Sequence, residues 1–171
     1  MKKILSLVAF FCLTTATFAQ DSGPSKIEGF RTFEWGQKID EMTMEAETPN
    51  FIPTEKLKDG SYYILANEDL IIGNVLLSSI NYVFSKKDDK FYKVILTGKK
   101  EDIEQMRFIV EYKYGKHQNE TQKDDYTTKQ WIIQNVSISL IDYEFKKFEL
   151  IIESDWEAAE AFKKNTNVTD F

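Results

Sequence analysis

The chain has 171 residues, with 22 basic and 28 acidic side chains, one histidine and one cysteine, giving a formal net charge of −6 at pH 7. An acidic chain without clustered Lys and Arg lacks the footprint of a nucleic-acid binder and is unsuited to docking on anionic lipid. The length suits one ordinary domain.

Residues 1–19 have the three parts of an export signal. Lys2 and Lys3 give a positive start, residues 4–13 are apolar, and Thr17-Phe18-Ala19 places small residues three and one positions before a cut at Gln20. The uncharged run 4–19 is short for a bilayer span, so removal is expected rather than retention, with no membrane insertion afterwards. Phe10 and Phe11 precede Cys12 where a lipoprotein signal needs small residues, so no lipid attachment is expected. Losing Cys12 with the signal leaves no cysteine. That excludes disulfides, thiolate catalysis, Cys-ligated zinc and iron–sulfur clusters from the exported chain. Its stability must then come from a core, for which 13 Phe, 8 Tyr, 3 Trp and an apolar content of 42% are ample.

Residues 20–26 carry no apolar side chain and read as a flexible leader before a single domain over 27–165. A short strand is expected at 27–33. From Trp35-Gly36 onward Ile39, Met42 and Ala46, spaced by three and four, predict a helix that Pro49 and Pro53 bar from continuing. Strands are expected at 61–66, 74–84 and 91–97, the last two joined by the polar loop 85–90. A second helix is expected over 101–114, with Glu101 and Asp102 in its first turn, an apolar stripe of Ile103, Met106 and Val110, and Gly115 ending it. Residues 116–127 read as a polar connection. Strands follow at 129–145, bent or broken near Gln134-Asn135, and at 148–153. Ser154-Asp155-Trp156-Glu157 matches a capping box opening a last helix to about 164, before a tail at 166–171.

An internal repeat is the most informative feature. Residues 71–84 align without gaps on 132–145, identical at eight of fourteen positions. With the flanking elements, each copy reads helix, strand, strand, strand, the halves spanning about 37–98 and 101–153. In both copies one face is apolar early and the other late, which needs either a bulge that switches faces or an early half covered on both sides. The expected class is α+β: an antiparallel sheet with helices on one face, built as a tandem helix-strand-strand-strand repeat.

Catalytic motifs are missing. No G-x-S-x-G elbow, HExxH, GxGxxG or Walker loop occurs, and His117 reads as a lone surface histidine. The carboxylates Glu41 and Glu45, Asp88-Asp89 and Asp124-Asp125 fall in expected exposed helix or loop positions, without calcium-loop spacing. No catalytic, metal or cofactor-binding residue is therefore assigned. Trp35, Trp131 and Trp156 sit at element boundaries, where packing against the core rim is expected. Sequons at Asn119, Asn135 and Asn167 are short chance patterns, and no glycan is assigned.

The order of residues from Gly29 onward resembles an uncharacterised class of small exported bacterial proteins. The resemblance rests on a Phe…Trp-Gly opening (Phe30 to Gly36), a Tyr-x-Phe hairpin (Tyr82 to Phe84, then Phe91-Tyr92-Lys93-Val94), a helix ending Lys113-Tyr114-Gly115, and Trp131 before an alternating strand. It implies an exported α+β domain and supplies no catalytic residue. The repetition also looks like the architecture of small secreted inhibitor and envelope-assembly modules, a fold analogy alone. The expectation is a periplasmic or secreted, non-enzymatic binding module that presents a sheet face or hairpin to a protein, peptide or envelope component. The rivals are a hydrolase using two carboxylates and a structural envelope protein.

Overall fold

Alternating apolar residues between polar turns build strands, and pairing the strands satisfies backbone groups that burial would otherwise strand without partners. The computed structural model describes residues 27–42, 49–56 and 60–155, and over these the chain forms eleven strands and one α-helix. β1 (Gly29–Phe30) and β2 (Phe33–Glu34) make a small hairpin, followed by a 3-10 turn at Ile39–Glu41. Then come β3 (Phe51–Lys56), β4 (Ser61–Leu65), β5 (Ile71–Ile72), β6 (Val75–Phe84) and β7 (Phe91–Lys99). A 3-10 turn at Lys100–Asp102 leads into α1 (Ile103–Tyr114). β8 (Asn119–Gln122), β9 (Tyr126–Ile133), β10 (Val136–Tyr143) and β11 (Lys147–Ser154) complete the described chain.

Nine of these strands form one antiparallel sheet in the order β3-β4-β6-β7-β11-β10-β9-β8, with β5 paired to β6. The β7–β11 ladder, from Lys147↔Lys99 to Glu153↔Lys93, joins the two halves of the chain into that single sheet.

This architecture overturns the α+β expectation: the fold is mostly β, with α1 the one α-helix among the described residues and no helix-strand-strand-strand repeat. The helix expected from Trp35-Gly36 shrinks to the turn at Ile39–Glu41, and Met42 is already extended (φ −74°, ψ 130°). Tertiary bonds capture the segment: Gly36 N–H donates to Phe91 O, Phe91 N–H donates to Gln37 O, and Lys38 bridges Lys90. Ala46 lies outside the described residues. So do the signal, the leader, and the helix and tail expected after Ser154, which itself closes β11. The connection expected at 116–127 contains β8, and an unforeseen β3 carries Pro53 at a sheet edge, where a missing N–H is tolerated.

The repeated segments share a hairpin but not their surroundings. Ile72 pairs with Val75 across Gly73-Asn74, and Ile133 with Val136 across Gln134-Asn135. Both turns set their first residue at positive φ, 61° at Gly73 and 54° at Gln134. Beyond the turn they diverge. β6 has a bulge between Leu77 and Ser79, so its buried side chains switch from Val75 and Leu77 to Ile80, Tyr82 and Phe84. β10 runs without a bulge and buries Val136, Ile138 and Leu140, leaving Ile141 and Tyr143 half-buried on the other face. The bulge therefore resolves the face switch in β6 alone. With the tandem repeat goes the analogy to inhibitor and assembly modules.

The core lies on one face of the sheet. Leu96, Leu150 and Leu140 form one row across β7, β11 and β10, and Val94, Ile152 and Ile138 form the next. Met106 and Val110 of α1 join them. At the other end Phe33, Phe51, Tyr63, Tyr82, Phe84 and Phe91 make ring contacts at 5.4–6.3 Å, each such pair contributing about 0.5–1.5 kcal/mol beyond its buried area.

Gly98 opposes Phe148 in the β7–β11 ladder, and the ring lies over its bare α-carbon. A Cβ there would fall 2.4 Å from Cε1 and Cζ of Phe148, a ring with no exposed surface. Gly98→Ala is expected to destabilise the fold by about 1–3 kcal/mol through overpacking, read from denaturant melts with an unchanged m-value. A shift within about 0.5 kcal/mol would show that Phe148 has room to move.

Candidate functional site

The β1–β2 hairpin is too short to hold itself in place, since two pairs of residues close it. Its turn residue Arg31, at φ 55°, anchors it to the sheet. The Arg31 guanidinium donates to Glu68 Oε1 at 2.8 Å and to Asp69 O at 2.5 Å, both in the loop between β4 and β5. That loop is shaped locally: Asn67 has φ 58°, and Asp69 Oδ1 accepts from Ile71 N–H at 2.9 Å. The Tyr82 hydroxyl, from the core face of β6, donates to the same Oε1 of Glu68. Phe30 packs edge-on against the Tyr82 ring, 6.1 Å between centroids, and the Arg31 guanidinium stands 5.7 Å from the Phe30 ring.

The Glu68 side chain is 3% exposed. Burial pushes its carboxyl above the ordinary carboxylate value, opposed by the Tyr82 hydrogen bond and the Arg31 charge. Burial likewise pushes the Tyr82 hydroxyl up, with the bond to Glu68 adding to the shift. Tyr143, the repeat counterpart of Tyr82, also donates to a glutamate, Glu149 Oε2 at 2.9 Å, and is pushed up to about 12, first by desolvation and then by that bond. It sits on the opposite, half-buried face and anchors no hairpin.

Against the anchored hairpin lies a cleft of about 470 Å³. Glu28, Gly29, Arg31 and Glu34 line one wall; Lys113 and Tyr114, from the last turn of α1, line the other. The second wall is also held from below. Trp131 is fully buried and its indole N–H donates to Gly115 O at 2.8 Å, tying the end of α1 to β9. His117 is no isolated surface histidine. It lies 23% exposed, edge-on to Trp131, with Nε2 3.1 Å from Glu120 Oε2 and Nδ1 3.4 Å from Glu111 Oε1. Lys129 Nζ, 2.6 Å from Glu120 Oε1, extends this network, so α1, β8 and β9 are pinned together beside the cleft.

The carboxylates singled out in the sequence are not brought together. Glu41 is exposed, and its side chain accepts from Lys38 N–H. Asp88 and Asp89 belong to the β6–β7 turn, Asp124 and Asp125 are exposed between β8 and β9, and Glu45 lies outside the described residues. Glu68, whose carboxyl is raised by burial, does not line the cleft. Among the described residues no group of three His, Cys, Asp or Glu side chains is arranged to hold a metal ion. Trp35 stacks on Phe91 at 4.7 Å, half-buried at the core rim, and Trp156 lies outside the described residues. Sequence reasoning missed Arg31 and Glu68, which lie 37 positions apart. A clue was available in Asn67-Glu68-Asp69, a turn-forming run that carries a long carboxylate toward an aromatic strand.

Comparison with known proteins finds no matching family model, no matching curated protein and no matching solved structure.

Two outcomes follow from the Glu68 anchor. Tyr82→Phe deprives a buried carboxylate of a donor and is expected to cost about 1–3 kcal/mol in denaturant melts. Because the fold raises the Glu68 value, the native state binds more protons than the unfolded chain in the window above 4.5. The stability from this site is complete below that pH and is lost as pH rises through the folded value. Glu68→Gln, which keeps an acceptor without the charge, is expected to gain on the parent chain as pH rises through this window. Parallel stability profiles would show that Arg31 and Tyr82 fully offset the burial.

Proposed function

We propose that this chain is an exported, non-enzymatic binding module, periplasmic or secreted, whose cleft between the β1–β2 hairpin and the end of α1 receives a segment of a protein or peptide. The observation that carries this reading is the Arg31–Glu68–Asp69 anchor, which makes a hairpin of two-residue strands into a fixed wall. Pre-formed walls spare a ligand the cost of ordering them. The lining combines carboxylates at Glu28 and Glu34, an ammonium at Lys113, a ring at Tyr114 and the backbone at Gly29. That mixture suits a polypeptide segment, which brings amide groups and side chains of both signs.

The hydrolase alternative needs a carboxylate with a raised value facing a second one across the cleft, and Glu68 is bound to Arg31 and Tyr82 instead. Export rests on residues 1–19. No helix among the described residues is long and apolar enough to cross a membrane.

The test is affinity capture from the cell envelope on the immobilised exported chain, alongside Lys113→Glu and Tyr114→Ser variants whose melts match the parent. The expected result is a protein or peptide retained by the parent and weakened about tenfold or more by each cleft variant, a loss of about 1.4 kcal/mol. Equal retention by all three chains, or turnover of a captured component, overturns the proposal.

A further inference from the structure

The cleft meets unpaired backbone at Gly29. In the β1–β2 hairpin Trp35 N–H donates to Glu28 O at 3.0 Å, and the register sets Gly29 opposite Glu34 and Phe30 opposite Phe33. Bonded and non-bonded pairs alternate along an antiparallel ladder, so the main-chain groups of Gly29 and Glu34 point outward, off the two sides of the hairpin. On the β2 side they are satisfied. Glu34 N–H donates to Gln37 Oε1, and Glu34 O accepts from Gln37 N–H, both at 3.3 Å. On the β1 side no described strand pairs with Gly29, since β1 and β2 form a sheet of two, and no described residue bonds its N–H or O. Gly29 is half-buried and lines the cleft, as does Ile27 two positions earlier.

Resting on the reading of this cleft as a binding site, we propose that its occupant is an extended polypeptide segment that adds a strand to β1. One residue of that segment exchanges both of its main-chain hydrogen bonds with Gly29. A donor and an acceptor on the same residue of a strand edge are answered by the acceptor and donor of one residue in another extended chain, which is the chemistry of strand addition. A helical segment has already paired its own main chain and would leave Gly29 unanswered. β1 is two residues long, so one such bridge is all it offers, and selectivity falls to the opposite wall. There the Lys113 ammonium stands 5.2 Å from the Tyr114 ring, presenting a cation and a ring face to the side chains of the incoming strand.

The probe is a peptide selected from a random dodecapeptide library on the immobilised exported chain and then synthesised. A β-carbon at Gly29 would strike Phe33 O, so the edge is interrogated from the ligand. Methylating each peptide nitrogen in turn should weaken binding about tenfold at one residue, the one facing Gly29, and less than about threefold at its two neighbours, whose groups point away from β1. Amide exchange at Gly29, followed by NMR of the labelled chain, should slow about tenfold or more on saturation with the peptide. Lys113→Glu and Tyr114→Ser should each weaken the same peptide about tenfold. Uniform tolerance of methylation, or Gly29 exchange unchanged by a peptide that both cleft variants weaken, overturns strand addition and leaves the cleft a binding site of another geometry. A library yielding no peptide, or only peptides indifferent to both variants, removes the cleft reading and this proposal with it. Gly29 already protected in the unliganded chain would show the edge filled from within the molecule and overturns the proposal as well.

Discussion

A carboxylate withdrawn from water must find donors where it is buried, and that need organises one end of this molecule. Glu68 finds them on two elements distant in sequence, the Arg31 turn of β1–β2 and the Tyr82 hydroxyl of β6. Removing Tyr82 or Arg31 takes a donor from the buried Glu68 carboxylate, so the three act together. The hairpin that forms a cleft wall is therefore fixed by chemistry behind it rather than by its own two ladder pairs. On the other wall a neutral bond, Trp131 to Gly115, and a charged network around His117 do the same for the end of α1. Arg31 both anchors and lines the first wall, whereas the bonds of Trp131 and His117 hold the second from residues outside the lining.

What could be read in the sequence was local. Turn residues between alternating runs located β6 and β7, and the i, i+3, i+7 stripe of Ile103, Met106 and Val110 located α1; the break expected at Gln134-Asn135 within one strand proves to be the turn of the β9–β10 hairpin. The failures all involve distant partners. Ile39 and Met42 have helical spacing, yet the backbone bonds of Gly36 and Gln37 to Phe91 hold that segment beside β7. β8, with the sequence Asn-Glu-Thr-Gln and every residue exposed, has no apolar alternation and exists because β9 offers a ladder and Lys129 meets Glu120. Arg31 and Glu68 carry no local signature of their pairing. His117 looked alone because a segment read as a loop has no register from which to place Glu111 and Glu120.

The repeated segment shows how far identity of residues can diverge from identity of place. Ile-Ile-x-Asn-Val sets the same two-residue turn in both halves, because a hairpin turn is decided within four residues. Past the turn, the extra residue at the β6 bulge reverses the faces. Ile80 and Tyr82 then enter the core, while Ile141 and Tyr143 stay outside it. One shift of register outweighs eight matching letters, since side-chain direction in a strand alternates with every step.

Among the described residues β3 and β8 stand at the two ends of the nine-stranded sheet, and each is poorly suited to template another strand. β3 interrupts its own ladder with Pro53 and a register shift before Glu55. β8 is four residues long and wholly polar. Short, charged or proline-bearing margins deny an incoming chain the flat template that fibril growth requires. Neither end strand offers the long, flat, apolar ladder that edge-to-edge pairing needs, a protection that a barrel obtains only by closing.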